Sequence, residues 1–371
     1  MRILLAGYVL GQGGIQSHLR GLSSALGEEG IETLVLSLGN KKCSPEDLQA
    51  LKDLQNQKLR FISCTPYDTR DAPLGFPKLQ RLVEIKTIID KFSPDIYFTH
   101  GTGWNLFIPP WLSRSKTRLI FYEGMSGVPN GWRDSRWGVR WWFDEVVGQS
   151  PIVAKTFAKC FGWKKPVPAI PAIPEPLELT ASLPKQTLKA VELGKARAAL
   201  FSRLVPHKQA FWLVQQWDLL KDVLAELHIY GSGPEEQLIK DYIAARGLGD
   251  RVKCFGRYPE GQAYVDMLSS YDLTLLPTIG AEGAPLVLLE SMACGVPFVA
   301  YAVGGIADYG VDNPNVLIVP PEPDAFISGV TEMVHRLAQG QVNQAQLQQF
   351  YLEHYSYAVL KKAWLSYLLA K

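Results

Sequence analysis

Short apolar runs alternate along the chain with stretches whose apolar residues recur every three or four positions. Ile3–Tyr8 has the character of a buried strand, and Ile15, Leu19, Leu22 and Leu26 follow it at helical spacing. Ile31–Leu38 and Leu59–Ile62 predict two more strands. Leu79–Phe92 predicts a helix through Leu82, Ile85, Ile88 and Ile89, and Asp95–Thr99, Arg118–Tyr122 and Glu145–Gly148 predict further strands. Strands alternating with helices argue for a parallel sheet covered on both faces.

Six prolines then interrupt the pattern between Pro166 and Pro184. Proline has no backbone donor and does not sit inside a helix or a central strand. After them the alternation restarts. Ala196–Val205, Leu227–Tyr230, Val252–Phe255, Leu273–Leu276, Phe298–Ala302 and Val316–Val319 predict strands. Ala210–Lys221, Pro234–Arg246, Gln262–Tyr271, Pro285–Cys294 and Asp324–Ala338 predict helices. Gln344 to Leu369 predicts one helix with Tyr351, Tyr355, Val359, Ala363 and Tyr367 near one stripe. The expected organisation is an α/β domain over 1–165, a proline-rich hinge over 166–190, a second α/β domain over 191–345, and a terminal helix over 346–371 returning to the first domain.

Composition narrows the function classes. The 371 residues are 47% hydrophobic and 20% charged, which excludes disordered and fibrous classes. Net charge is +2, from 38 Lys and Arg against 36 Asp and Glu, with no charged tail, so a general nucleic-acid binder is not expected. Cys43, Cys64, Cys160, Cys254 and Cys294 lie far apart and form no C-x-x-C, so they read as thiols of a reducing compartment. Met1–Gly7 is too short an apolar run for a signal peptide, and no window approaches the ~20 apolar residues of a membrane span. The expected location is cytoplasmic, with peripheral contact at the inner face of the membrane.

The most informative segment runs from Glu282 through Gly283, Ala284, Pro285 and Leu286 to Glu290 and Pro297. Pro285 suits a first helical position, and Gly295 followed by Pro297 ends the helix. Glu290 is the only charge in an otherwise apolar helix, and a lone carboxylate there is costly unless paired. Two readings are open. Glu282 and Glu290 accept from the hydroxyls of an anionic ligand lying across the helix N-terminus, or Glu290 pairs with an internal Arg or Lys. Gly11-Gln12-Gly13-Gly14 opens the first helix as a second phosphate-compatible start. It is not a dinucleotide fingerprint, because Gln16 replaces the third glycine and Ser37–Asn40 offers no acid for a ribose. Arg203 and Lys208 follow the first strand of the second domain, where ligands bind in an open α/β sheet. Gly231-Ser232-Gly233-Pro234 is another strand–turn–helix start.

Glu282 and Glu290 form an E-x7-E motif, and E-G-A-P-L-V-L-L-E-S-M-A-C-G-V-P resembles the signature of GT4-type retaining glycosyltransferases of GT-B fold. Gly13-Gly14, the Ser202–Lys208 loop, Tyr230–Glu235, Leu248–Arg257, Gly304-Gly305 and His354–Tyr357 fit the same family in the same order. The resemblance implies two Rossmann-like parallel-sheet domains facing a central cleft, with the terminal helix packing back on the N-terminal domain. It implies that Glu282 contacts the donor sugar, Glu290 the ribose, and Arg203 and Lys208 the diphosphate. Gly13, Gly14, Gly283, Ala284, Pro285, Leu286, Gly231 and Arg257 would close around the nucleotide-sugar. Two departures stand out. Glu123-Gly124 occupies the position where the family often carries a histidine, and Ala307-Asp308 replaces the usual Pro-Glu after Gly305. His100 has two readings, one facing the reacting sugar and one as a hydrogen-bonded histidine at a strand end.

The resemblance further implies a UDP-sugar donor first and a GDP-sugar second, transferred to a glycan, lipid-linked or small-molecule acceptor. No cofactor or metal is expected: no D-x-D occurs, and two helix N-termini with Arg203 and Lys208 can stabilise the leaving diphosphate. A nucleotide-sugar epimerase and a non-catalytic nucleotide-sugar-binding partner are the rival readings. Six of the ten tryptophans lie between Trp104 and Trp142. Arg133, Arg136 and Arg140 are spaced to share one helical face beside Trp137 and Trp141. That pattern suits a sugar-stacking or membrane-interface site, or else core packing with snorkelling arginines.

Overall fold

The computed structural model describes residues 1–9, 13–37, 59–63, 76–102, 104–112, 116–174, 177–185, 191–280 and 282–370, with backbone alone at 63, 76–82, 104 and 107. The chain forms two compact units, Met1–Glu175 with Leu360–Lys371, and Pro176–Val359.

The first unit holds strands β1 (Arg2–Gly7), β2 (Glu32–Ser37), β3 (Leu59–Ser63), β4 (Ile96–His100), β5 (Arg118–Glu123) and β6 (Glu145–Gly148). The second holds β7 (Ala196–Phe201), β8 (Leu224–Tyr230), β9 (Val252–Gly256), β10 (Leu273–Leu276), β11 (Phe298–Tyr301) and β12 (Leu317–Val319). The sheets run β3-β2-β1-β4-β5-β6 and β9-β8-β7-β10-β11-β12, the same doubly wound order, and every neighbouring pair is parallel. Covering both faces requires central strands that are buried throughout, as Ile3–Ala6 and Leu273–Leu276 are, the one polar side chain among them, Thr274, being hydrogen-bonded to Ser291 Oγ (2.8 Å).

Three predicted elements are corrected. β7 stops at Phe201 instead of Val205, because Ser202 N–H donates to Tyr230 O (3.1 Å) and Leu204 N–H to Ser232 O (3.0 Å), which folds the chain into a loop over β8. The helix predicted over Ala210–Lys221 is two, Ala210–Gln215 and Trp217–Leu220. The predicted tail helix is also two, Gln344–His354 and Tyr357–Leu369. Glu178 sits at that break, accepting from Tyr351 O–H (2.8 Å) and Tyr357 N–H (2.6 Å). The break shifts the stripe: Tyr357, Leu360, Trp364 and Leu368 are buried, and Val359 is exposed.

The end of the last helix is fixed within the first unit. Trp364 Nε1–H donates to Pro171 O (2.9 Å), and Arg118 joins Glu145 to the carbonyls of Tyr367 and Leu368. Part of the proline stretch extends the first sheet: Gly148 N–H donates to Pro168 O and Ile170 N–H to Gly148 O, both 2.9 Å. No described helix is long and apolar enough to cross a membrane. Among the described cysteines, Cys160, Cys254 and Cys294 are free; Cys43 and Cys64 lie outside the described residues.

Candidate functional site

In a doubly wound sheet the strand order reverses beside the first strand, and the loops leaving the carboxyl ends there diverge to open a crevice. In the second unit that point lies between β7 and β10. Ser202–Lys208 leaves β7 and the loop to Glu282 leaves β10. Ile279 N–H donates to His207 O (2.8 Å), which ties the two loops together.

Across this point Lys208 Nζ is ion-paired with Glu282 Oε2, at side-chain exposures of 11% and 16%. The two residues assigned separately from the sequence, one to phosphate and one to sugar, are thus each other's partners. Lys208 is buried and Glu282 partly buried, which strengthens the pair relative to a surface ion pair. Arg203, on the same loop, is exposed and makes no ion pair among the described residues.

The Glu282 loop is positioned by close backbone packing. Gly305 N–H donates to Gly283 O (2.9 Å), and a Cβ on Gly304 (φ 55°) would stand 1.7 Å from Glu282 O. Gly231 answers to the same constraint: at φ 133°, its Cβ would stand 1.7 Å from Ser202 O. Its absence of a side chain serves the approach of the Gly231 turn to the β7 loop. Pro285 is the cap and not the first helical residue of Leu286–Ala293, and no side chain caps that helix. Its first N–H groups therefore lack intrahelical partners. Gly283, Ala284 and Leu286 are buried and Pro285 is half-buried.

Glu290 does not need an internal Arg or Lys, because Tyr264 O–H donates to its Oε2 (2.6 Å). Burial, and then Glu290, pushes the Tyr264 phenol well up, so it stays a donor. Tyr264 belongs to an aromatic cluster unread in the sequence. Its ring stacks on Tyr258 (5.1 Å), Phe201 stacks on Tyr230 (5.0 Å), and Tyr230 on the half-exposed Phe255 (5.0 Å). These aromatics fall at the ends of β7, β8 and β9, a recurrence that could have revealed them. Arg257, just after β9, is exposed beside them.

Four predicted residues lie in the first unit. Gly13 (φ 149°) caps the helix that Gly14 begins; Gly11 and Gln12 lie outside the described residues, as do Leu38–Asn40. His100 ends β4 and is 3% exposed. Among the described residues neither ring nitrogen has a hydrogen-bond partner, which corrects the reading of a hydrogen-bonded strand-end histidine. Burial lowers its pKa to about 3, so it is neutral. Gly124 leaves it room, since a Cβ there would stand 2.1 Å from His100 Nε2. His18 packs against it, with ring centroids 5.5 Å apart.

Glu123 is 1% exposed and is held by a single guanidinium nitrogen: Arg136 Nη1 donates to both of its oxygens, at 2.9 and 3.0 Å. It is a closed internal ion pair and not a substitute for an exposed histidine. Arg136 also binds Asp134 (2.6 Å) and is 1% exposed. This corrects the expected surface helix: Ser135–Gly138 is a 3-10 turn, Val139–Trp142 a short helix, and Arg136 points inward while Arg133 and Arg140 remain exposed.

Residues 189–344 match the family described as "Glycosyl transferases group 1". The chain is 34% identical over 173 residues to an exopolysaccharide phosphotransferase of Streptomyces coelicolor, covering 46% of this chain and 17% of that protein's length. It is 24% identical over 349 residues to a 2-deoxystreptamine N-acetyl-D-glucosaminyltransferase of Streptomyces fradiae, covering 82% and 79%. The structure of Anabaena HepE with UDP superposes with a TM-score of 0.75 at 16% identity, covering 99% of both chains. Sucrose-phosphate synthase of Thermosynechococcus elongatus gives 0.75 at 19% identity, covering 99% and 98%. The fold is GT-B, two Rossmann-like domains, and the sequence similarities support the general glycosyltransferase family.

Proposed function

We propose that the protein is a GT4-type retaining glycosyltransferase that needs no metal. It takes a nucleoside diphosphate sugar, UDP-linked first and GDP-linked second, and transfers the sugar to a glycan, lipid-linked or small-molecule acceptor. The observation that carries this reading is the largely buried Lys208–Glu282 pair at the switch point of the second sheet, with Arg203 on the same loop. HepE, solved with UDP and with UDP-glucose, supports the choice of donor.

In this reading Lys208 and Arg203 bind the diphosphate, and Glu282 turns to the hydroxyls of the sugar. Glu290, held by Tyr264, accepts from the ribose. The bond from the anomeric carbon to the diphosphate oxygen breaks and the acceptor oxygen bonds on the same face. The acceptor's proton passes to the departing diphosphate oxygen. The two cations and the uncapped N-terminus of Leu286–Ala293 stabilise the negative charge that develops there. The work is done in the cytoplasm, with peripheral contact at the inner membrane face.

The test is calorimetry with UDP, GDP and ADP, followed by a product screen with sugars of the tightest-binding base. NMR of the product's anomeric coupling reports the stereochemistry. Binding of one diphosphate and an anomer matching the donor are expected. An inverted anomer overturns the retaining assignment, and absence of all nucleotide binding overturns the transferase reading.

A further inference from the structure

The outer face of the first unit from Val128 to Ala169 is chemically one-sided. Its exposed charges are Arg133, Arg140, Lys155, Lys159, Lys164 and Lys165, all cationic, in a chain whose net charge is only +2. Each acid in the stretch is turned to an internal partner. Asp134 binds Arg136, Asp144 accepts from Leu119 N–H (3.0 Å), and Glu145 binds Arg118.

Large apolar side chains stand among these cations. Trp132 is 80% exposed, Trp141 58% and Trp142 37%, and Val128 and Ile152 are exposed too. Arg133 lies over the Trp132 ring (4.5 Å) and Arg140 over the Trp141 ring (4.2 Å). The segments form one surface. Trp137 packs on Phe161 (4.9 Å), Arg136 lies over Phe161 (5.1 Å), and Lys165 Nζ donates to Asp144 O (2.7 Å). Beside them an open hollow of about 590 Å³ is lined by Lys155, Lys164, Lys165 and Trp163. The Trp163 indole N–H has no hydrogen-bond partner among the described residues.

We propose that this face docks the protein on an anionic lipid bilayer, with Trp132, Trp141 and Trp142 at the headgroup level and the lysine hollow receiving an anionic headgroup. Tryptophan is favoured at the membrane interface, and cations are drawn to anionic lipid. An anionic glycan would also suit arginines and indole rings. It would have no use for exposed Val128 and Ile152, because sugars stack on flat rings, whereas aliphatic chains gain from leaving water at the acyl boundary. The inference rests on the lipid-linked branch of the acceptor reading and deepens it.

The experiment is co-sedimentation of the full chain with vesicles of neutral phosphatidylcholine alone or with 30% phosphatidylglycerol, alongside UDP titration of the same samples. Binding to the anionic vesicles only is expected, weakened by added salt. Each of Arg133→Gln, Arg140→Gln, Lys155→Gln and Lys164→Gln should weaken partitioning about fivefold. Trp132→Ser with Trp141→Ser should weaken it further, and UDP affinity should stay unchanged throughout. Equal binding to both vesicle types, or variants that bind like the parent, overturns the proposal. So does tighter binding to a soluble polyuronate than to vesicles, which assigns the face to an anionic glycan. Self-association abolished by the same variants overturns it too, in favour of a second copy. UDP binding without vesicle binding defeats only the docking surface. Vesicle binding without any nucleotide binding defeats only the transferase reading.

Discussion

The two sheets have one strand order, yet their switch points hold opposite chemistry. In the second unit, Lys208 is buried, Glu282 partly buried and Arg203 exposed, and all three are charged groups. In the first, His18 and His100 are buried and neutral, and Glu123 is closed on Arg136. A diphosphate needs cations that can exchange partners. Lys208 can exchange Glu282 for a phosphate because both side chains keep some exposure, 11% and 16%. Arg136 cannot leave Glu123 without stranding a carboxylate in the core. The comparison therefore favours the second unit for the proposed phosphate binding and gives the Glu123–Arg136 pair a structural role in holding the 124–136 loop.

The largest expected effect tests that structural role. Arg136→Ala leaves Glu123 and Asp134 buried without their cation and should destabilise the first unit by about 3–5 kcal/mol. Urea denaturation would show this, and a loss below 1 kcal/mol would mean that the pair is dispensable. Next comes Lys208→Ala, which should weaken nucleoside diphosphate binding roughly ten- to a hundredfold, since a charge-assisted hydrogen bond contributes about 1.5–3 kcal/mol. Arg203→Ala should weaken binding similarly but leave thermal stability unchanged, because Arg203 is exposed and makes no ion pair among the described residues. Calorimetry and thermal denaturation on both variants separate the two cases.

Acid sharpens the contrast further. The ordinary histidine pKa is 6.5, and burial lowers that of His100 to about 3. The unfolded chain thus binds a proton that the folded one refuses. The stabilisation is full above about pH 6.5 and is lost as pH falls toward 3. His18 shifts the same way, by burial and then by His100. Unfolding followed by hydrogen exchange at β4 should show stability falling over this window, with a shallower slope in His100→Gln. Identical slopes would remove the buried histidines from the account. The smallest effect concerns Glu290. Tyr264→Phe should weaken nucleotide binding severalfold, by loosening the carboxylate proposed for the ribose, and an unchanged affinity would separate that contact from binding.

Strand and helix alternation was legible because central strands such as Ile3–Ala6 must be apolar on both faces, and the proline stretch marked where the pattern restarts. The interruption at Tyr355–Ser356 was hidden, since it depends on Glu178, far away in sequence, meeting Tyr351 and Tyr357. The E-x7-E spacing located Glu282 and Glu290, but spacing within one segment says nothing of partners. Lys208 and Tyr264 come to them from 74 and 26 residues away. Arg136 misled for the same reason: its i, i+3 relation to Arg133 suggested a shared face, while its actual position is set by Glu123 on β5 and Asp134. Gly231 read as a ligand-facing glycine, and the structure gives it, as it gives Gly304, a backbone carbonyl to clear.

The central claim is that the Lys208–Glu282 pair opens to receive a diphosphate. Calorimetry of UDP and of uridine, on the parent and on Lys208→Met, tests it most directly. The account predicts that the parent binds UDP far more tightly than uridine, and that Lys208→Met loses roughly ten- to a hundredfold for UDP while its uridine affinity hardly changes. Equal losses for UDP and uridine would contradict it, because Lys208 would then be shaping the site without touching phosphate.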